Sequence, residues 1–554
     1  MGGITGVLAY SEEGRERFSY VENALNSLNH RGKNILKTNN TGSIIIAQTS
    51  NKSKLTSIQD TSNRYALAFS GNLYNANYLK SKLQNKAIKQ ENLSEQEILL
   101  HLLISEKENC LEKIEGNFSL AFLDKEENSL LIARDRFGIN PLAYYKDKNN
   151  FIFASETKAL LQYNIPKELN YNSVYLYFKL NYIPGDLSIL KNTNKLKAGH
   201  YIKISKNNFR CQAYYSLPNY EISEISYDEA IIRSKELIKY SIEKRINSVN
   251  NLGFFLSGGI DSSIITAHAS EILGKIKTFS LGYANNAFYD ETHYANLVAK
   301  KFNTEHKVFK ITNQDFIEQI PEVFDAIDEP FADSSAIAFY ILSKQVKQHI
   351  DIAFSGDGAD EIFTGYNKHT AHYKAINPKF HESFVSKLNF LWRIMPQSRN
   401  NKLSNAFRQL NKFSEGRKLS PEQRYFEWAS FANDLHCNNL IKYENINKLE
   451  IEKEKEDILK YFKSENEILE ILYSDVSMVL QNDMLVKVDL MASKNGLKIR
   501  TPFLDTEVFD FAIRLPIEYK INSKIKKKIL QDAYKDILPK ELYNRPKQGF
   551  EVPL

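Results

Sequence analysis

Ser257-Gly258-Gly259-Ile260-Asp261-Ser262-Ser263 stands between the apolar run Gly253-Phe254-Phe255-Leu256 and the segment Ile264-Ile265-Thr266-Ala267-His268-Ala269. The first run reads as a short buried strand and the last as a helix. Strand, glycine-rich turn and helix start together make a phosphate site. The glycines let backbone approach an anion, while hydroxyls and unpaired N–H groups at the helix start point at it. No Lys follows in the Walker manner and no GxGxxG spacing is present, so neither a P-loop kinase nor a dinucleotide fold is indicated. Asp261 inside the loop points to a bridging Mg²⁺. A plain Gly/Ser turn between core elements is the alternative reading. A second loop, Ser355-Gly356-Asp357-Gly358-Ala359-Asp360-Glu361, follows the apolar run Ile352-Ala353-Phe354. Two such loops on one parallel sheet open together at its carboxyl edge, where these sheets bind ligands.

The chain has 554 residues, which predicts more than one domain, since single cores rarely outgrow ~250–300 residues. A charged content of 25% with 42% hydrophobic residues is that of a globular protein in water. There is no apolar run long enough to span a bilayer, and Met1-Gly2-Gly3-Ile4-Thr5 is no signal peptide, so a cytoplasmic protein with no membrane partner is expected. Cys110, Cys211 and Cys437 are too few and too far apart for a disulfide framework or a zinc cluster. A net charge of +6 is small for this length, and no basic stripe with interleaved aromatics stands out, so no nucleic acid is expected either. The one dense basic cluster is Lys524-Ile525-Lys526-Lys527-Lys528.

Residues 1 to about 205 are rich in short strands bounded by Gly, Asn or Asp: Ile44–Ala47, Tyr65–Phe69, Phe118–Phe122 and Leu130–Ala133. A helical pattern intervenes over Glu95–Ile104. This predicts an α+β unit with layered sheets. After Tyr214-Tyr215-Ser216-Leu217-Pro218 a helix is expected over Tyr227–Ile246, followed by strands alternating with helices, the pattern of a parallel sheet. The boundary falls near 210–225. From about 370 to 540 the pattern is largely helical, with 395–420 read as a polar surface connection.

An ordered series of landmarks resembles the asparagine synthetase family along essentially the whole chain. It comprises Arg134-Asp135-Arg136-Phe137-Gly138 with Pro141-Leu142, Phe153-Ala154-Ser155-Glu156, the loop at Ser257, Asp290-Glu291, and Asp328-Glu329-Pro330-Phe331-Ala332-Asp333-Ser334-Ser335. The loop at Ser355 with Gly365-Tyr366, Leu485-Val486-Lys487-Val488-Asp489, Arg500-Thr501-Pro502-Phe503-Leu504-Asp505 and Arg545-Pro546-Lys547-Gln548-Gly549-Phe550 complete it. The resemblance implies an N-terminal-nucleophile-type α+β glutaminase-like domain over 1–210. It implies an α/β parallel-sheet ATP-pyrophosphatase domain, of the adenine nucleotide hydrolase-like kind, over 220–554. The chain stops at Leu554, soon after Gly549-Phe550, where family members usually continue. The family adenylates a carboxylate, releases pyrophosphate and lets an amine attack the acyl-adenylate. It also implies ATP and Mg²⁺ as cofactors and a homodimer.

Residue by residue, the resemblance implies that Ser257, Gly258, Gly259, Asp261 and Ser262 hold pyrophosphate. Asp261 and Asp360 would carry Mg²⁺, which takes one or two carboxylates plus phosphate oxygens. Leu256, Leu281, Ser355 and Gly356 match positions that pack or hydrogen-bond adenosine. Asp357 matches an acid near the attacking amine, and Lys527 the lysine that neutralises adenylate and pyrophosphate charge; the family Arg four places on is Gln531. A helix beginning near Lys526 would set Lys526 and Lys528 about 100° to either side of Lys527. A solvated basic turn is the alternative for this cluster.

The first half departs from the pattern. The family begins Met-Cys-Gly-Ile, whereas this chain reads Met1-Gly2-Gly3-Ile4, and glycine has no thiol for the covalent route. Ala47-Gln48-Thr49-Ser50-Asn51 lacks the family's glutamine-clamping Arg, Asn-Gly-Glu stands as Ser70-Gly71-Asn72, and the amine-gripping Asp appears as Glu95. His30-Arg31-Gly32 survives, while the Pro-Asp after it is Lys33-Asn34. In the second half, Lys498 replaces the acid of Glu-x-Arg-x-Pro-Phe, which is expected to alter handling of substrates near the path between domains.

The expected activity is that of an ATP-dependent amide-forming ligase with a relic glutaminase domain. Its acceptor would be aspartate, a sugar acid or another small-molecule or peptide carboxylate. Its nitrogen would come as ammonia or another amine, from solution, the substrate itself, or a glutaminase or pathway partner in trans. An ammonia-dependent asparagine synthetase and a non-catalytic homologue are the rivals.

Overall fold

The computed structural model describes residues 2–39, 42–50, 59–84, 93–205, 208–218, 221–246, 251–284, 290–398, 402–442, 446–463 and 466–543. The Arg545–Phe550 landmark lies outside the described residues.

The first half carries eleven described strands: β1 Ile4–Ala9, β2 Asn34–Asn39, β3 Ile44–Ser50, β4 Tyr65–Leu73, β5 Gly116–Asp124, β6 Ser129–Arg134, β7 Ala143–Lys146, β8 Asn150–Ala154, β9 Thr193–Lys195, β10 His200–Ser205 and β11 Asn208–Ala213. They form two antiparallel sheets, ordered β2-β3-β1-β8-β7-β9 and β11-β10-β6-β5-β4. Alternation along each strand decides what faces what. On β4, Ala66 and Ala68 pack with Ile4, Ile44 and Ile46 of the other sheet, while Leu67 turns to the helix Glu95–Glu106. That helix starts at a capping box between Ser94 and Glu97. Val7, Ile45 and Ile152 turn to helices on the outer face of the first sheet. The result is a four-layer sandwich, helix–sheet–sheet–helix.

The second half is built on β12 Leu252–Phe255, β13 Lys277–Tyr283, β14 Glu305–Ile311, β15 Ile352–Phe354 and β16 Lys498–Arg500. The order is β14-β13-β12-β15-β16 and every pairing is parallel. One face, with Phe254 and Phe354, packs on helices Tyr227–Ile246, Ile260–Leu273 and Thr506–Arg514. The other, with Phe255, Phe279 and Ala353, packs on Ser335–Lys347 and Leu485–Lys494. Burial on both faces explains why β12 and β15 read as continuous apolar runs. The chain moves outward from β12 to β14, then returns to β15. The crevice at this reversal lies between the ends of β12 and β15.

Two expectations need correcting. Residues 395–420 are no simple polar connection: Lys402–Gly416 is a helix. The helix of the basic cluster begins at Lys528, not Lys526, and Lys527 precedes it in the left-handed conformation with φ 50°.

The halves meet through buried charge. Arg31 reaches from the first to Glu156 of its own half and to Asp489 of the second, with Nη1 3.2 Å from Asp489 Oδ1. Burial opposes ionising Arg31, yet Asp489 and Glu156 hold its pKa above the ordinary arginine value. Asp328 accepts the backbone N–H groups of Thr157 and Lys158, and Glu329 that of Ile189. The landmark Asp328-Glu329 thus serves the join between the halves.

Candidate active site

Both glycine-rich loops leave the carboxyl ends of adjacent strands, because β12 and β15 pair directly, Phe254 opposite Phe354. Gly258 takes φ 71°, which turns the chain from strand to helix. The turn is braced internally: Gly259 N donates to Ser257 Oγ at 3.2 Å, Ser257 N to Ser262 Oγ at 3.3 Å, and Ser262 Oγ to Gly259 O at 3.2 Å. This leaves the amino end of helix Ile260–Leu273 facing the crevice, with the anion-binding polarity of a helix start. Leu256 is core; its N–H donates to Phe279 O at 2.8 Å and its carbonyl accepts from Ser280 Oγ. Leu281, on neighbouring β13, is half-buried.

Lys527 draws the two loops together. Its Nζ lies 2.5 Å from Asp261 Oδ2 on the first loop and 2.5 Å from Asp360 Oδ1 on the second. Burial would lower its pKa, but the two carboxylates hold it above the usual lysine value. The chain closes tightly here. A Cβ on Gly365 would stand 1.7 Å from Asp360 Oδ1 and 2.2 Å from Lys527 Cε, so no side chain fits at 365 without breaking the clamp. Lys526 turns away to Asn367 Oδ1, and Lys528 to Tyr227 and Asp532.

Asp261 and Asp360 fit a hard cation. Asp261 Oδ1 is buried with no hydrogen-bond partner, and two carboxylates completed by phosphate oxygens are the usual Mg²⁺ set. Among the described residues no group of three or more His, Cys, Asp or Glu could hold a metal, so substrate oxygens would have to complete the shell. Asp357 accepts from Ser355 Oγ at 2.6 Å, and burial pushes its pKa up. Gly356 packs its Cα side against the Asp261 side chain.

Further polar groups stand nearby that carried no assigned role in the sequence. Lys487 Nζ bonds Asp333 Oδ2 at 2.8 Å and Ser335 Oγ at 2.9 Å. Asp483 is pushed up to about 7 by burial and by Asp333. It is next to last in a π-helical stretch, Asp475–Met484, a geometry frequent at functional sites. At the other end of that stretch Asp475 is fully buried and accepts from Lys368, His369 and Tyr425 at 2.6–2.7 Å. The charged spacing Asp483–Lys487 was visible in the sequence, but the π-helical register was not. Lys498 lies at the amino end of β16, its N–H 3.0 Å from Asp351 O, at the edge of the sheet away from the loops.

In the first half, the residues at the glutamine-site positions bond to one another. Ser70 Oγ donates to Gly2 O, Asn140 Nδ2 to Ser70 O at 2.9 Å, and Leu73 N to Glu95 Oε2 at 3.1 Å. Gln48, near the missing clamp, accepts from Phe69 N at 2.8 Å. Asn72 Nδ2 approaches Asn117 Oδ1 at 3.4 Å, and Gly71 closes on Asn117 O.

The asparagine synthase family profile matches residues 233–554, and a glutamine amidotransferase domain profile matches 1–215. The chain belongs to the asparagine synthetase family. Like the family, it is an ATP-dependent carbon–nitrogen ligase. Asparagine synthetase [glutamine-hydrolyzing] 1 of Bacillus subtilis is 29% identical over 88% of this chain and 76% of its own length. Putative asparagine synthetase [glutamine-hydrolyzing] 2 of Methanocaldococcus jannaschii is 32% identical over 79% of this chain and 83% of its own.

Proposed function

We propose that this chain adenylates a carboxylate at the ends of β12 and β15 and joins it to ammonia or another amine, without hydrolysing glutamine itself. The substrate carboxylate attacks the α-phosphorus of ATP and pyrophosphate leaves. The amine nitrogen then attacks the acyl carbon and AMP leaves. The start of helix Ile260–Leu273, with Ser257, Gly258, Gly259 and Ser262, receives the pyrophosphate. Lys527 neutralises charge that builds as the phosphate bond breaks. Asp357, its pKa raised by burial, is placed to take the proton that the attacking amine sheds. Asp261 and Asp360 would hold Mg²⁺, which supplies further charge neutralisation at phosphate oxygens.

The observation that carries the loss of glutamine chemistry is the packing at position 2. A Cβ there would stand 2.1 Å from Thr49 O, while Gly3 N donates to Thr49 Oγ1 at 2.8 Å and fixes the neighbouring backbone. The site lacks a thiol and also lacks room for one. Pyrophosphate release measured across candidate acids and amines tests the reading. Some acid with ammonium or an amine is expected to give turnover, and glutamine is expected to be silent. Gly2→Cys is expected to stay silent too. Glutamate release by the unaltered chain above a heat-treated control would overturn it. The two relatives are named asparagine synthetases, which favours aspartate as the first acid to try, with ammonium in place of the glutamine that their names give; asparagine as product would select the ammonia-dependent synthetase.

A further inference from the structure

Residues 374–418 hold ten Lys and Arg against two acids, Glu382 and Glu415. The net +8 of this segment exceeds the +6 of the whole chain. Its helices Phe380–Lys387, Asn389–Ile394 and Lys402–Gly416 pack on one another around Trp392. That ring stacks on Phe407 at 6.4 Å and donates Nε1 to Val385 O at 2.8 Å. With the inner face so used, large apolar side chains are left outside. Phe380 is 87% exposed, Ile394 79%, Leu403 72%, Phe390 61% and Phe384 54%. Phe380 and Phe384 are four residues apart on one helix, and Phe390 and Ile394 on the next, so each pair shares a face. Lys379, Lys387 and Arg393 are exposed between them. Single exposed apolar residues need no explanation, but this density among cations within one small bundle does.

We propose that this bundle docks the protein peripherally on an anionic lipid surface. Phe380, Phe384, Phe390 and Ile394 enter the headgroup boundary, and Lys379, Lys387 and Arg393 face lipid phosphates. The apolar side chains stand proud of short helices, whereas a protein partner would have to offer a matching socket for each. A bilayer is deformable, apolar just below its surface and negatively charged on it, so it meets both features at once. Spanning is a separate matter: no described helix is long and apolar enough to cross a membrane. The expectation of no membrane partner rested on the lack of a spanning run, and this proposal departs from it, because peripheral contact requires no span. The bundle joins the site directly, since helix Asn367–Ile376 runs into it from Gly365 and Tyr366.

Sedimentation of the full chain with vesicles tests the proposal, using phosphatidylcholine alone or mixed with phosphatidylglycerol, at low and high salt. The protein is expected to sediment with the mixed vesicles only, and to be released by salt. Lys379→Glu, Lys387→Glu and Arg393→Glu should each weaken binding by about fivefold. Phe390→Ser with Ile394→Ser should weaken it further, with pyrophosphate release unchanged. Equal sedimentation with both vesicles, or none with either, would overturn the proposal. So would full binding by the Phe390→Ser, Ile394→Ser protein, or retention on nucleic acid or an acidic protein without vesicle binding. The single exposed changes Phe384→Ser and Lys387→Glu give the same readout should the double variant fail to fold.

Discussion

Lys527 owes its position to a backbone conformation that side-chain-bearing residues rarely adopt. The left-handed φ of 50° costs about 1–2 kcal/mol, and in exchange the side chain leaves the helix that follows and crosses to both loops. The landmarks select this lysine from its neighbours, but the helical-wheel reason for selecting it fails, because the helix starts one residue later. A left-handed lysine before a helix leaves no trace in composition or periodicity. Lys527→Ala is expected to slow acyl-adenylate formation on the order of 100-fold or more, as losing an aimed charge in a closed site does. Lys526→Ala and Lys528→Ala, whose amines bond elsewhere, should stay within about twofold. Single-turnover pyrophosphate release compares the three, and a crippled Lys528→Ala protein would place the charge one residue on.

At the scale of elements, strands followed by Gly-rich turns were legible because punctuation and apolar runs coincide at β12 and β15. Tyr227–Ile246 was legible too, its apolar positions recurring at helical spacing. Helix Lys402–Gly416 was not, because its packed face buries Asn411 and Ser414, polar residues that interrupt the apolar period. The stretch Asp475–Met484 escaped for another reason: its turn is wider than the 3.6 residues that such a search assumes. The short helix Ile517–Lys520 raises a question of charge. Lys520 is fully buried, donates Nζ to Ile513 O at 2.9 Å, and burial lowers its pKa to about 7. Between that value and the ordinary 10.5 the unfolded chain binds a proton that the folded chain does not. Stability from this group therefore rises as pH climbs through the window, while below pH 7 the full burden of a buried cation is present. Lys520→Met removes that dependence. The melting temperature of the variant minus that of the unaltered protein should fall steadily from pH 7 to pH 10; a difference that does not change with pH would mean that Lys520 stays charged in the folded chain through this window.

Across the whole molecule, the two halves are joined by charges that neither can bury alone. Arg31 is nearly inaccessible and holds Glu156 and Asp489 at once. Removing one partner of a buried pair costs about 3–5 kcal/mol, because the other charge is left without compensation. Arg31→Ala is therefore expected to lower the melting temperature markedly and to speed proteolytic cutting between the halves; unchanged melting would mean that water reaches the carboxylates. The same arginine bears on the history of the chain. A second half made alone would expose Asp489 at a surface shaped for a guanidinium, and Asp328 and Glu329 would lose the N–H groups they accept. The residues at the glutamine-site positions can therefore change one by one, yet deletion of the domain around them would be penalised at the level of folding. Whatever its chemistry, the first half persists as a wall of the second.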